Sequence, residues 1–423
     1  MSRGGDRTGE SRKWCWQMTR PARKVLLLDI DGVLVRPGGY RRSYRDTVNS
    51  FLRELGLERF ELRDDRFAER FEACEIPAEW DMVPLTLAMV FDYLLSIDPA
   101  FALPSKLSKI RRIDAPENLT AVDFDAYFDR SLALIGEGFS GAQSPAKAIY
   151  LSVLRGDAPA GLFPRLRRMR LFAELLGDSL NLSASPTLRR LETYLLGSEL
   201  FRATFGLDCP EGIASNLRTL DVPLLSAEYQ RRIKAENGTA IFAAGMTARP
   251  DLPDDSFPNG LPRPFSAIPE AQCAFETLGW GGEAVRLIGV GSLNAFEASI
   301  GAALDSYLKP SPIHALAAIG LAIGGNAFHA LDAAVRFAAQ RGKASARALL
   351  SDERPLQIAV IEDSASGINA VKSAFELLRG VGIPAAFYPY GVRTTAAKNA
   401  LLDRAGAIAV ASVNDALDLF YAV

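Results

Sequence analysis

Two aspartates one residue apart, Asp29-Ile30-Asp31, follow the apolar run Val25-Leu26-Leu27-Leu28 and precede Gly32. A continuous apolar run ended by a glycine turn predicts a strand buried on both faces, as in a parallel sheet. Residues i and i+2 of an extended segment point to the same side, so the turn at Gly32 can bring both carboxylates to one site. Acids so placed either bind a divalent cation together or divide nucleophile and general acid/base roles. Alone, Asp-x-Asp-Gly is more often a solvated strand end. Three further features change that balance. Thr247 closes the apolar stretch Ala240–Met246; Lys309-Pro310-Ser311-Pro312 opens a helix, with proline favoured at the first helical position; Glu362-Asp363 follows the run Leu356–Ile361.

The set suits phosphoryl transfer. A carboxylate nucleophile can attack a phosphoryl group only where the negative charge of that group is neutralised. Mg²⁺ held by Asp29 and the Glu362-Asp363 pair, a Lys309 ammonium and a Thr247 hydroxyl would supply the neutralisation. Asp31 would protonate the leaving alkoxide and later deprotonate the attacking water.

These residues, in this order, resemble the motifs of the haloacid dehalogenase superfamily of phosphatases. Val360-Ile361-Glu362-Asp363-Ser364-Ala365-Ser366-Gly367 and Lys309-Pro310-Ser311-Pro312 look most like the phosphoglucomutase-like, C1-cap branch. The resemblance implies Asp29 as nucleophile through a phosphoaspartate and Asp31 as acid/base. It also implies Mg²⁺ on Asp29, the Asp31 backbone carbonyl and Asp363, with Glu362 beside it. A helical cap that closes over the site and selects the substrate is expected between the first and second motifs. Motif-level likeness covers a small part of the chain; the α/β pattern extends it to about half.

The elements that must position these residues can be read in outline. From Pro37 to Arg232 apolar residues recur at three- and four-residue spacing, as in Pro84–Leu95 and Leu188–Leu196, which predicts packed amphipathic helices. On either side strands alternate with helices. This predicts an α/β fold, a Rossmann-like doubly wound parallel sheet from 23–36 and 233–423, interrupted by a large all-helical C1-type cap at 37–232. Residues 1–22 are polar and basic with no apolar h-region and are expected to be a disordered tail. The Pro-, Asp- and Gly-rich 250–269 is expected to be a surface loop, and Gly289-Val290-Gly291 a tight turn. The cap exceeds the usual four-helix size, the 250–269 loop is long, and 325–355 is an extra stretch; these departures concern the substrate more than the chemistry.

Composition narrows the function class. Of 423 residues, 48% are apolar and 23% charged, and the net charge of −2 provides no basic field for nucleic acid or an acidic membrane. Cys15, Cys74, Cys209 and Cys273 form no CxxC pair, which suggests a reducing compartment, and two histidines, His314 and His329, leave no His-rich metal site. No unbroken apolar run is long enough to span a membrane, and a cytoplasmic location is expected. The leading expectation is therefore a Mg²⁺-dependent phosphomonoester hydrolase acting on a small phosphorylated metabolite. The alternatives are a phosphosugar mutase with the same aspartyl-phosphate chemistry, or a non-catalytic binding protein on the same fold. Arg36, Arg41, Arg42 and Arg45 read more readily as a solvated helix face than as a substrate clamp, Glu79-Trp80-Asp81 as a half-buried helix end, and Ser364 as a helix cap.

Overall fold

The computed structural model describes residues 21–107, 112, 121–139, 142, 144–260, 263–281 and 284–422. The tail expected at 1–22 lies, for 1–20, outside the described residues. The chain forms two compact units, one of residues up to Arg36 with Val222 onward, the other Pro37–Asp221.

The first unit is built on a six-stranded sheet. Its strands are β1 (Arg23–Leu28), β4 (Phe242–Met246), β5 (Arg286–Ile288), β6 (Leu356–Glu362), β7 (Ala385–Val392) and β8 (Ile408–Val410); β2 (Val35–Arg36) and β3 (Val222–Pro223) form a separate antiparallel pair. The order is β5-β4-β1-β6-β7-β8 and every neighbour is parallel. β1 is central, which is why Val25–Leu28 are wholly buried: each of its faces must be apolar. Alternation along the strand divides them. Val25 and Leu27 join a core with Met246, Val360 and the helices Pro312–Ala322 and Ala365–Gly380. Leu26 and Leu28 join the opposite core with Ile361, Phe275 and the helix Val413–Ala422. The fold is thus an α/β, Rossmann-like parallel sheet covered on both faces.

The register of the three central strands decides where the motif residues meet. Leu28 pairs with Gly245 on one side and with Ile361 on the other, and Asp29 N donates to Ile361 O at 3.1 Å. β1, β4 and β6 therefore end level, at their carboxyl ends, where open parallel sheets place ligands.

Three expectations change in detail. Residues 222–232, expected in the helical block, belong to the α/β unit: Val222–Pro223 pair with Val35–Arg36, and Ile233 of the following helix Ala227–Glu236 is buried in the α/β core. Gly289-Val290-Gly291 is the start of the helix Val290–Ser299 with Gly289 as its N-cap, not an isolated turn. The 250–269 segment is exposed at 254–255 and 258–260, but its ends are buried, because Asp251 accepts the N–H and hydroxyl of Ser292 at 2.8 and 2.6 Å. The 325–355 stretch carries two further helices, Ala327–Gln340 and Lys343–Leu350, whose apolar faces complete the core around Pro312–Ala322.

The second unit is helical. Its centre is Glu79–Ile97, buried from Asp81 to Leu95. By length and composition this helix could cross a membrane, yet 83% of its most apolar window is buried within the protein, the pattern of a core helix. Phe60, Tyr93 and Phe124 stack edge-on or tilted at 5.6–6.1 Å, and Phe67 and Phe71 meet Phe128 at 4.7 and 5.3 Å. Arg41, Arg42 and Arg45 are paired within this unit to Glu72, Asp46 and Asp65. Asp81 is fully buried and caps the helix Pro145–Arg155, taking the Ser144 hydroxyl at 2.6 Å and Ala146 N at 3.1 Å, so it is a deeper part of the unit than the half-buried end expected.

Candidate active site

At the level end of β1, β4 and β6 the structure brings together Asp29, Lys309, Glu362 and Asp363. Asp29, Glu362 and Asp363 each offer a carboxylate oxygen within 4.8 Å of the others. Lys309 enters from the loop before the helix Pro312–Ala322, its peptide bond to Pro310 cis, with Ser311 capping that helix. Its Nζ donates to Asp29 Oδ1 at 3.0 Å and Glu362 Oε1 at 2.6 Å.

Close backbone approach sets this geometry. Gly32, at φ +74°, closes the turn after Asp31, and a Cβ there would lie 2.6 Å from Asp363 Oδ2. A Cβ on Gly367 would lie 1.7 Å from Glu362 Oε1, so the first turn of the helix Ala365–Gly380 passes the carboxylate only as glycine. Ser364 N-caps this helix, accepting from Gly367 N at 3.4 Å, while its hydroxyl donates to Glu362 Oε2 at 2.8 Å.

Burial and charge oppose each other throughout the cluster. Burial works against the Lys309 ammonium, but Asp29 and Glu362 outweigh it and hold its pKa above the ordinary lysine value. Burial, with the Asp29 charge beside it, raises Glu362 against the pull of Lys309. Burial also raises Asp363, opposed by the Lys398 ammonium, which sits 2.5 Å from Oδ2.

Asp31 lies at the rim with its carboxylate held by Arg249: Nε reaches Oδ1 and Oδ2 at 3.0 and 2.9 Å, and Nη2 reaches Oδ1 at 2.6 Å. The Asp31 side chain is therefore outside the Asp29–Glu362–Asp363 triad; the metal contact expected of this residue concerned its backbone carbonyl. Thr247 is buried at the end of β4, its N–H on Ile288 O at 3.2 Å and its hydroxyl accepting from Arg249 N at 3.1 Å.

The donor set fits a hard divalent cation. Three carboxylates with oxygens this close, backed by ammonium groups that offset their repulsion, match the oxygen-rich, water-completed coordination that Mg²⁺ takes.

No protein-family model and no curated protein matches the sequence. The fold, by contrast, aligns with a solved structure. The X-ray structure of a Northeast Structural Genomics Consortium target aligns with TM-score 0.59 and 13% identity, over 92% of this chain and 95% of its own. That likeness establishes a shared fold. A provisionally assigned beta-phosphoglucomutase from Thermotoga maritima aligns over 95% of this chain and 99% of its own at 14% identity, with a TM-score of 0.37, too low to carry an argument.

Three side chains around the site had no assigned role in the sequence reading. Arg249 was visible two residues after Thr247, but nothing local marks its partner, 218 residues away. Lys398 carries no signal at all; it lies beyond β7, in the first turn of the helix Ala396–Ala405. His314, on the helix Pro312–Ala322, is fully buried with Nε2 3.0 Å from Ile288 O, the carbonyl that also accepts Thr247 N–H. Since a carbonyl can only accept, Nε2 carries the proton. Burial, with the Lys309 charge adding to it, pushes its pKa down to about 3, so it is a neutral brace between the Lys309 helix and the Thr247 strand end.

Proposed function

We propose that the protein is a Mg²⁺-dependent phosphoryl-transfer enzyme of the haloacid dehalogenase type, acting as a hydrolase on a small phosphorylated metabolite. The observation that supports this most is the convergence of Asp29, Glu362 and Asp363 on one ammonium, Lys309, at three strand ends aligned by register. Asp29, Glu362 and Asp363 would hold the metal, which when bound supplies charge neutralisation for a phosphoryl group.

In this reading the Asp29 oxygen attacks phosphorus, and an O–P bond forms as the ester P–O bond breaks. Asp31 gives its proton to the departing alkoxide. It then takes a proton from a water that attacks the phosphoaspartate, and the bond from Asp29 to phosphorus breaks with release of phosphate. Lys309 and the Thr247 hydroxyl would orient the phosphoryl oxygens, Arg249 fixes the Asp31 carboxylate at the rim, and substrate selection is assigned to the helical unit.

The test is phosphate release from a panel of phosphorylated metabolites, with and without Mg²⁺, for the wild type and Asp29→Asn. Metal-dependent release that falls about a thousandfold or more in Asp29→Asn is expected. Isomerisation of a sugar phosphate on addition of a bisphosphate, without release, would replace hydrolysis by mutase chemistry. Identical behaviour of the two proteins throughout would overturn the catalytic reading.

A further inference from the structure

We propose that Lys398 is an exchangeable counter-ion of the metal site: its ammonium holds Asp363 in the absence of a divalent cation, and the cation displaces it. The inference rests on the reading of Asp29, Glu362 and Asp363 as metal ligands.

The two lysines of the cluster differ in how they are held. Lys309 is 4% exposed and bridges two carboxylates, whereas Lys398 is 49% exposed and, among the described residues, meets Asp363 alone. A buried ammonium shared by two carboxylates is costly to remove, while a half-exposed one with a single partner exchanges readily with solvent. The oxygen that Lys398 occupies, Asp363 Oδ2, also lies against Gly32 in the turn after Asp31, and Asp363 is one of the three acids that converge on one point. Metal and ammonium therefore draw on the same carboxylate.

Charge gives the exchange a consequence. With all four acids ionised, Asp29, Asp31, Glu362 and Asp363 outnumber Lys309, Arg249 and Lys398, and the cluster carries a net negative charge that would repel a phosphate dianion. A divalent cation that releases Lys398 without expelling it from the neighbourhood reverses that sign. The ammonium leaves as a cation and no proton moves.

The experiment is calorimetric titration with MgCl₂ at constant ionic strength on the wild type, Lys398→Gln, Lys398→Arg and Lys372→Gln. Lys398 follows the Thr395 cap, so its replacement leaves the helix start intact. Lys372 is an exposed lysine on the helix Ala365–Gly380 and controls for net charge alone. Lys398→Gln is expected to bind Mg²⁺ about tenfold more tightly, with Lys398→Arg and Lys372→Gln close to wild type. Equal or weaker affinity in Lys398→Gln, or equal tightening in Lys372→Gln, overturns the exchange and leaves the metal site standing. Absence of binding in every protein overturns the metal site and the exchange together. A crystal structure grown with Mg²⁺ should show Lys398 Nζ away from Asp363; a bound ion with that pair intact overturns the proposal.

Discussion

Both units bury acids, and they use them differently. In the helical unit Asp92 is fully buried, accepting Arg165 N and Leu166 N at 2.9 and 2.6 Å and the Tyr127 hydroxyl at 2.5 Å. Asp81 likewise faces a helix start. These carboxylates stand apart, and their donors are backbone N–H groups and hydroxyls, which makes them pins that fix one segment to another. In the α/β unit Asp29, Glu362 and Asp363 crowd one point and are answered by ammonium groups from other elements. Asp251, in the same unit but tied to Ser292, behaves like the helical pins. Burial of an acid is therefore a weak sign of function. Convergence of several acids on shared or half-exposed cations separates a reactive cluster from a structural one.

The sharpest way to break this contrast is at Gly367. Alanine there would collide with a Glu362 carboxylate that Lys309 holds in place. Phosphate release should fall by about a hundredfold or more and Mg²⁺ affinity with it, because the acid has no free space to retreat into. An unaltered Gly367→Ala enzyme would mean that Glu362 is not fixed as described.

Next in size is Asp92→Ala, which strips two backbone N–H groups and a tyrosine hydroxyl of their acceptor. A loss of about 3 kcal/mol in unfolding free energy is expected by denaturant titration, with kcat retained in the folded fraction. A large fall in kcat at unchanged stability would move Asp92 from the pins to the chemistry.

A further test concerns pH. Burial pushes the Asp81 carboxyl up to about 7 from an ordinary 3.8, against the pull of Ser144 and Ala146 N. Between those values the unfolded chain has released this proton and the folded chain retains it. Stability contributed by the neutral form is therefore complete below the ordinary value and is lost as pH rises toward 7. Asp81→Asn should flatten the pH dependence of Tm over that window, an effect on the order of 4 kcal/mol at its upper limit. A wild type and variant with parallel Tm profiles would show that Asp81 ionises normally.

Much of the fold was written locally. The doubly buried strand at Val25–Leu28, the proline-started helix after Lys309 and the serine cap after Glu362-Asp363 each follow from composition within a few residues. The helical texture of the block after Pro37 was equally visible, though its last residues were not, since 222–232 are claimed by a two-residue pairing with Val35–Arg36 that no periodicity reveals. The long helix Glu79–Ile97 was legible only as the apolar recurrence over Pro84–Leu95, and packing gave its place at a core.

By itself the sequence determined the residue types, the strand ends and the glycines that make an acidic site possible, because backbone preference and alternation act over short range. Tertiary structure decided which of those acids meet. The parallel register of β1, β4 and β6 sets Asp29 level with Glu362, and side chains from distant segments, Arg249 on Asp31 and Lys398 on Asp363, set the charge balance. Coulomb interaction depends on distance in space and is blind to distance along the chain, so this balance could not be read before the chain was folded.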